Sequence, residues 1–495
     1  MSHLTHYIKN HPDLNPGAVA FLASLDQISE VSPSIAQAIA QELKDQRSYL
    51  KLIASENFSS LAVQQAMGNL LTDKYSEGYP HHRFYAGCDN VDIVEDEAAR
   101  LACELFGCDH AYVQPHSGAD ANLIAFWSIL FQRIQAPELE KLGKKNPEEL
   151  SIEEHERIRQ LMMNQKVMGM SLNSGGHLTH GYRFNITSKM MQAVTYDIDP
   201  ATGQLNYDQI AEQAQREKPD ILLAGYSAYP RLINFARMRE IADSVGAVFM
   251  VDMAHFSGLV AGGVFKGDHN PIPYADLVTS TTHKTLRGPR GGMVLCTKEY
   301  ADTVNKGCPM VLGGPLPHVM AAKAVAFREA NTPEFSAYTQ NIVRNSQALA
   351  NALIERGADV LTGGTDNHIV ILDVSKFGIT GRQAGIALRR AHVTVNRNAI
   401  PFDQNGPWYT SGIRIGTPAV TTLGMGAAEM DVIADVIHSV LSHTKPTIVE
   451  KTQKPSKAQS VTEEAVLTRA KSQIKELLQA HPLYPEIELE LMVVK

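Results

Sequence analysis

The sequence predicts an α/β protein: a large, mainly parallel β-sheet covered by helices, followed by a smaller C-terminal α+β domain. Three observations carry that expectation. Between about residues 90 and 300, short apolar runs alternate with longer amphipathic segments. The runs are apolar along their whole length, as strands buried on both faces must be, and the segments between them are long enough for helical crossovers. Beyond residue 320 the pattern changes to a long helical stretch followed by short strands and helices in mixed order.

Residues 1–60 read as an N-terminal arm with helices, and 61–320 as the large domain. Its strands are AYVQ (111–114), KVMGMSL (166–172), AVTYDI (193–198), ILLAGYS (221–227), AVFMVDMA (247–254), LVTSTT (277–282) and GGMVLCT (291–297), with helices such as MREIADSVG (238–246) between them. The last run follows its predecessor too closely for a helical crossover and is expected to run antiparallel. Residues 133–165 mix acidic and basic side chains and read as a solvated helical insertion. The smaller domain, 321–445, opens on a helix over 320–350 and continues with IVILDVS (369–375), a helix at 380–391, VTVN (393–396) and IRIG (413–416). In 446–495, the polar stretch 446–465 reads as a linker ahead of a terminal helix.

Composition narrows the function. Apolar residues make up 44% of the 495 and charged ones 20%, enough for a large core. The net charge of −8 repels nucleic acid and anionic lipid, so neither is expected as a partner and any anion site must be local. Five cysteines without zinc spacing read as the reduced thiols of a cytoplasmic protein. The first residues show no apolar or arginine-rich leader, and no run of about 18 uncharged apolar residues occurs.

The stretch TTHKTLRGPRGG (281–292) puts Lys284 just beyond a buried strand, at the carboxyl end where parallel sheets bind ligands. An amine must be neutral to attack a carbonyl, and an ordinary lysine is about three pH units from that state. Burial and the neighbouring Arg287 and Arg290 would narrow the gap, which makes a Schiff-base lysine chemically sensible; a solvated basic loop is the alternative. Asp252, in VDMAH (251–255), ends another buried strand 32 residues earlier, with His255 beyond it. A carboxylate there needs a partner. A protonated pyridine nitrogen suits it, and so does a helix cap or an ion pair.

HSGADAN (116–122) follows a strand and opens a helix, where Ser117 and Gly118 can face a phosphate. Thr281, Thr282 and the backbone of GGP (313–315) could add donors. Arg414, on a short strand, can fork onto a carboxylate or form a structural ion pair. Glu77, in the aromatic-rich KYSEGYPHHRFYAG (74–87), is a candidate acid or base. His177 and His180 in GGHLTHG (175–181) lack a convincing third ligand, so no metal is expected; an imidazole stacked on a cofactor ring explains His177 better.

Together with LIASEN (52–57), RFYAGC (83–88), VDIVE (91–95), QPHSG (114–118), SAY (227–229), GGPLPH (313–318), GGTDNH (363–368) and TSGIRIGTPA (410–419), these stretches resemble serine hydroxymethyltransferase, a family of fold-type-I pyridoxal-phosphate enzymes. The matches run in family order over roughly residues 45 to 445. The resemblance implies reversible conversion of L-serine and tetrahydrofolate to glycine and 5,10-methylenetetrahydrofolate, with pyridoxal 5'-phosphate as cofactor. It also implies a homodimer with shared active sites, or a tetramer. By the same resemblance Lys284 would hold the cofactor as an aldimine and Asp252 would bind its ring nitrogen. His177 would stack on one ring face, with Ala254 and His255 on the other, and Ser227 would approach the phenolic oxygen. Ser117, Gly118 and Thr281 would hold the phosphate, with Gly313 and Gly314 reaching in from a second subunit. Arg414 would clamp the serine carboxylate near Ser55. Glu77, Tyr85 and Tyr75 would come from the partner, Glu77 moving the proton of the serine hydroxyl. The implied catalytic set is thus Lys284, Glu77, His255, Tyr85 and Thr281. Folate would lie near Gly176, Leu178, Asn398 and Trp408.

Three features depart from the family pattern. Leu312 stands where a glutamine is usual, Ala86 where a glycine is common, and the 133–165 insertion is longer than bacterial members usually carry. The same scaffold admits threonine-type aldol cleavage, transamination or alanine racemisation; Leu178 and Asn398 favour the folate reaction. A non-catalytic binding protein on this fold is the reading that Lys284, Asp252, Glu77 and Arg414 count against.

Overall fold

The seven apolar runs become the seven strands of one sheet: β1 (His110–Tyr112), β2 (Lys166–Met170), β3 (Gln192–Tyr196), β4 (Ile221–Gly225), β5 (Val248–Asp252), β6 (Leu277–Thr281) and β7 (Gly292–Cys296). They are seen in a computed structural model that describes residues 2–488. The strand order is β1-β7-β6-β5-β4-β2-β3. Strands β2 to β6 pair in parallel. β7 runs antiparallel to both its neighbours, as its short connection to β6 requires.

The unbroken apolarity of these runs has a structural cause. Leu222, Ala224, Phe249 and Val251 enter one core cluster, whereas Ile221, Leu223, Val248 and Met250 enter the other. Each residue of β4 and β5 is therefore buried, whichever way it points. Helix α1 (Asp89–Phe106) supplies Val91, Ala98 and Leu101 to the first cluster, and α2 (Gly118–Leu130) supplies Ile124, Phe126 and Ile129 to the second. The fold is the α/β, fold-type-I arrangement.

The helical stretch over 320–350 is two helices rather than one, α3 (Pro317–Ala330) and α4 (Pro333–Glu355). Pro333 has no N–H to continue a helix. Thr332 is extended, and its hydroxyl accepts from the Phe335 N–H at 3.3 Å, starting the second helix afresh.

A four-stranded antiparallel sheet follows: β8 (Asp359–Val360), β9 (Ile369–Asp373), β10 (Asn396–Asn398) and β11 (Gly412–Gly416), in the order β8-β9-β11-β10. Its separate core includes residues of α5 (Gly381–Arg390), α6 (Ala427–Ser442) and α7 (Glu464–Ala480). VTVN divides. Val393–Thr394 pairs in parallel with Leu50–Lys51, and Asn396 begins β10. That pairing anchors the segment leading to Ser55.

The stretch expected as a linker is instead an antiparallel hairpin, β12 (Thr444–Val449) and β13 (Lys454–Thr462). Gln383 holds it against α5, donating from Nε2 to the carbonyls of Ser456 at 2.7 Å and Gln459 at 2.8 Å. Most of its side chains remain wet, so no apolar run marks it. The charged insertion forms helices Ala136–Lys141 and Ile152–Met163, which bury Leu139 and Ile158. Among the described residues no helix is long and apolar enough to cross a membrane.

Candidate active site

Strands β5 and β6 run side by side and end at one edge of the sheet, with Asp252 opposite Thr279 in register. Their carboxyl ends open into a cavity of about 460 Å³. Lys284, Asp252, His177, Ala254, His255, Ser227, Thr281, Ser117, Gly118, Ser55 and Arg414 all line it. One cavity thus gathers residues from seven separate stretches of chain.

Asp252 forms its floor. Its Oδ1 accepts from the Ala254 N–H at 3.0 Å and its Oδ2 from Asn122 Nδ2 at 2.9 Å. His180 Nε2 stands 3.1 Å from the same Oδ2. His180 Nδ1 accepts from the His177 N–H at 3.3 Å, so the proton of a neutral His180 sits on Nε2 and is donated to Asp252. Thr279 in turn donates its hydroxyl to Asn122 Oδ1. Burial opposes the charge on Asp252, yet the His180 contact, His177 and Asn122 together hold its carboxyl well below the usual range. The floor is an ionised carboxylate held by the Ala254 N–H, Asn122 and His180.

Lys284 lies three residues past β6. Burial brings its pKa down to about 8; Asp252 pulls the other way, and Arg414 and Arg290 add to the depression. Arg287, expected among the depressing cations, is turned elsewhere: its guanidinium lies 4.5 Å from the Tyr338 ring centroid. Thr282 likewise faces its own loop, donating to the Pro289 carbonyl at 2.6 Å.

Ser117 caps α2. Its hydroxyl accepts from the Asp120 N–H at 3.2 Å and lies 2.9 Å from Asp120 Oδ2. A Cβ on Gly118 would fall 2.7 Å from Thr281 Cγ2, so only glycine allows this helix start to sit against β6. The Thr281 hydroxyl donates to the Ala254 carbonyl at 3.1 Å. His283 also lines the cavity, and its Nδ1 is buried without a partner.

On the far wall Arg414, from β11, donates from Nε to Asn396 Oδ1 at 3.1 Å and from Nη1 to the Ser227 carbonyl. No carboxylate lies within ion-pair distance of it among the described residues. Burial brings its pKa down to about 10 and leaves it cationic. His177 is pushed to about 4 by burial, and its Nδ1 lies 2.8 Å from Thr179 Oγ1. His255 stacks on His368 with ring centroids 5.6 Å apart.

A scan for protein families matches the description "Serine hydroxymethyltransferase" over residues 28–141 and 157–437. The chain belongs to the serine hydroxymethyltransferase family. It is 59% identical over 478 residues to a serine hydroxymethyltransferase of Treponema pallidum (strain Nichols), covering 96% of this chain and 83% of that one. With one from Salinispora tropica identity is 56% over 476 residues, covering 96% and 99%. With one from Chlamydia trachomatis serovar L2 it is 54% over 495 residues, covering 99% of both. The interruption of the family match falls inside the charged insertion.

The family depends on pyridoxal phosphate and uses folate, and the cavity fits such a group. The buried Asp252 carboxylate has no lysine or arginine within ion-pair distance among the described residues, and a protonated ring nitrogen would complete its partners. The unpartnered His283 Nδ1 and the tight helix start at Gly118 suit a phosphate.

The remaining expected residues lie outside this cavity. Tyr75 and Tyr85 are about half exposed and meet edge to face, ring centroids 4.8 Å apart. A Cβ on Gly314 would fall 2.8 Å from Tyr75 Cε2. Tyr75, Tyr85 and Gly314 therefore share one patch, and Glu77 and Gly313 adjoin it in sequence; none of the five lines the lysine cavity. Leu312, the departure from the family, is buried in the apolar cluster of Tyr112, Val304 and Cys308, where a polar side chain would lack partners. Gly176 packs so closely that a Cβ would sit 2.0 Å from the Met170 carbonyl oxygen. Leu178 is 42% exposed. Asn398 lines a neighbouring cavity with Ala228 and Phe402, and the exposed Trp408 faces a groove with Arg382 and Arg397.

Asn122, Thr279 and His368 escape the sequence reading, and His180 enters it only as a rejected metal ligand. The signal for His180 was its spacing. Three residues after His177, across one tight turn, it reaches Asp252 while His177 lines the cavity.

Proposed function

We propose that this chain interconverts L-serine and glycine, exchanging the one-carbon unit with tetrahydrofolate, with pyridoxal 5'-phosphate carried on Lys284. When bound, the cofactor supplies an electron sink for the pair left on the amino acid's α-carbon as the side chain departs. The chain's own residues do the rest. Asp252 keeps a proton on the ring nitrogen. His177 and Ala254 would hold the ring, and Ser227 would meet its phenolic oxygen. Ser117, Gly118 and Thr281 form the phosphate side.

Arg414 binds and orients the serine carboxylate with Ser55 beside it. Loss of the hydroxymethyl group requires removal of the serine hydroxyl proton. Glu77 takes it, from a second subunit whose Tyr75, Tyr85, Gly313 and Gly314 complete the site. A homodimer is therefore the smallest competent unit, working in the cytoplasm. Folate approaches past Gly176 and Leu178 toward Asn398, excluding water from the transferred carbon.

The observation carrying this reading is the convergence of Asp252, Lys284 and Arg414 on one cavity, an anion, a depressed amine and an unpaired buried guanidinium. Borohydride reduction of the cofactor-loaded protein, followed by peptide mapping, tests it. The tag is expected on Lys284; a tag on another residue, or none, rejects the assignment. Rates with serine, threonine and alanine, each with and without tetrahydrofolate, separate the folate reaction from the other reactions this scaffold admits.

A further inference from the structure

Lys323 lies on α3 and is 1% exposed. Among the described residues it has no ion-pair partner. Its Nζ donates instead to the carbonyls of Val113, of Pro115 at 3.0 Å and of Gly292 at 2.8 Å. Three donors thus meet three acceptors, the full capacity of an ammonium group. An apolar side chain here would take a donor from each of these carbonyls at a buried position.

These carbonyls belong to the two segments that frame the start of α2. Val113 and Pro115 lead directly into Ser117 and Gly118, and Gly292 opens β7. The segments are also tied to each other, since the Gly292 N–H donates to the Pro115 carbonyl at 2.9 Å. The last two glycines of TTHKTLRGPRGG are required by these contacts. A Cβ on Gly291 would fall 2.5 Å from Lys323 Cε, and one on Gly292 would fall 2.2 Å from the Ser117 carbonyl oxygen. The loop carrying the reactive lysine is thinned where it crosses Lys323 and the phosphate-side serine.

We propose that Lys323 is a positioning residue for the cofactor's phosphate: it locks the 113–118 segment against β7 and places a buried positive charge behind the start of α2. The proposal rests on the reading of the cavity as a pyridoxal-phosphate site. A buried lysine paired with a carboxylate would be electrically neutral. Held by neutral carbonyls, this one keeps its full charge when protonated and favours a dianion nearby. Burial brings its pKa down to about 7, against the pull of Glu95 on α1 and Asp120 on α2. His116 and His283 also face it, and each has its own pKa lowered by burial first and by Lys323 among the lesser causes. A phosphate arriving beside Ser117 therefore favours the protonated amine.

The test compares apoprotein affinities for pyridoxal 5'-phosphate and for pyridoxal, which lacks the phosphate, by absorbance titration. Lys323→Met is expected to weaken pyridoxal phosphate binding about tenfold or more and to change pyridoxal binding little. Lys323→Arg, which keeps the charge, should restore part of the phosphate preference. A folded Lys323→Met protein with an unchanged ratio of the two affinities overturns the proposal, because a purely structural lysine would affect both ligands alike. If Lys323→Met does not fold, Gly291→Ala displaces the lysine by its added methyl, and an unchanged ratio there has the same force. Wild-type protein that takes up neither ligand would remove the underlying reading and this proposal with it.

Discussion

His180 Nε2 lies 3.1 Å from Asp252 Oδ2, and the same imidazole accepts the His177 N–H on its other nitrogen. One imidazole thus bridges the His177 backbone and the carboxylate and orients it toward the cavity. A hydrogen bond to a buried charge is worth about 1.5–3 kcal/mol. His180→Phe and Asn122→Ala should each weaken cofactor binding by roughly ten- to a hundredfold, read by titrating apoprotein with pyridoxal phosphate. Unaltered affinity in both variants would mean that the Ala254 N–H alone suffices.

Arg414 has only neutral acceptors, Asn396 Oδ1 and the Ser227 carbonyl. Lysine at this position keeps the charge and loses the planar fork. Arg414→Lys should raise the serine KM by about tenfold or more and leave cofactor affinity within about twofold. Parallel losses in both would place the arginine's role in holding the site together instead.

The pH dependence of the apoprotein follows from Lys284. Its pKa in the folded chain is about 8, below the 10.5 of a free side chain, chiefly through burial. Between those values the unfolded chain still holds a proton that the folded one has released. Stability from this group therefore increases with pH across the window, by on the order of 3 kcal/mol in all. Urea midpoints of apoprotein at pH 7.5 and 10 should show the rise in wild type and a smaller one in Lys284→Met. Capture of the cofactor aldehyde needs the neutral amine, so its rate should climb about tenfold per pH unit up to about 8 and then level.

The sheet was legible because two-sided burial makes β4 and β5 apolar up to Asp252, which stood out at the end of β5, as did Lys284 just beyond β6. The hairpin at 444–462 was not, because one wet face and a mixture of Lys, Pro and Gln carry no apolar signal. The break at Thr332-Pro333 was readable from proline chemistry and was masked by helix-forming sequence on both sides. Within the site, distance along the chain hid the supporting residues. Asn122 is 130 positions from Asp252, and Lys323 is 31 from Gly292, with nothing in local sequence to join either pair. Arg287 illustrates the converse: adjacency to Lys284 suggested an electrostatic role, while the fold turns it onto Tyr338.

The patch holding Tyr75, Tyr85 and Gly314 lies outside the lining of its own chain's lysine cavity, which gives the shared-site reading a direct test. Glu77→Gln should bind cofactor normally and lose serine cleavage by at least about a hundredfold, consistent with removal of a general base. Lys284→Ala should be inactive for a different reason. If Glu77 serves the neighbouring subunit, a mixed dimer of the two variants contains one site with both defects and one with neither. Coexpression at equal levels gives half mixed dimers, each half active, so activity should return to about a quarter of wild type. If Glu77 instead serves its own subunit, every site in the mixture carries one defect and no activity returns. Differential tags on the two variants allow the mixed species to be isolated, where the expectation becomes one working site per dimer, countable by cofactor titration against serine turnover.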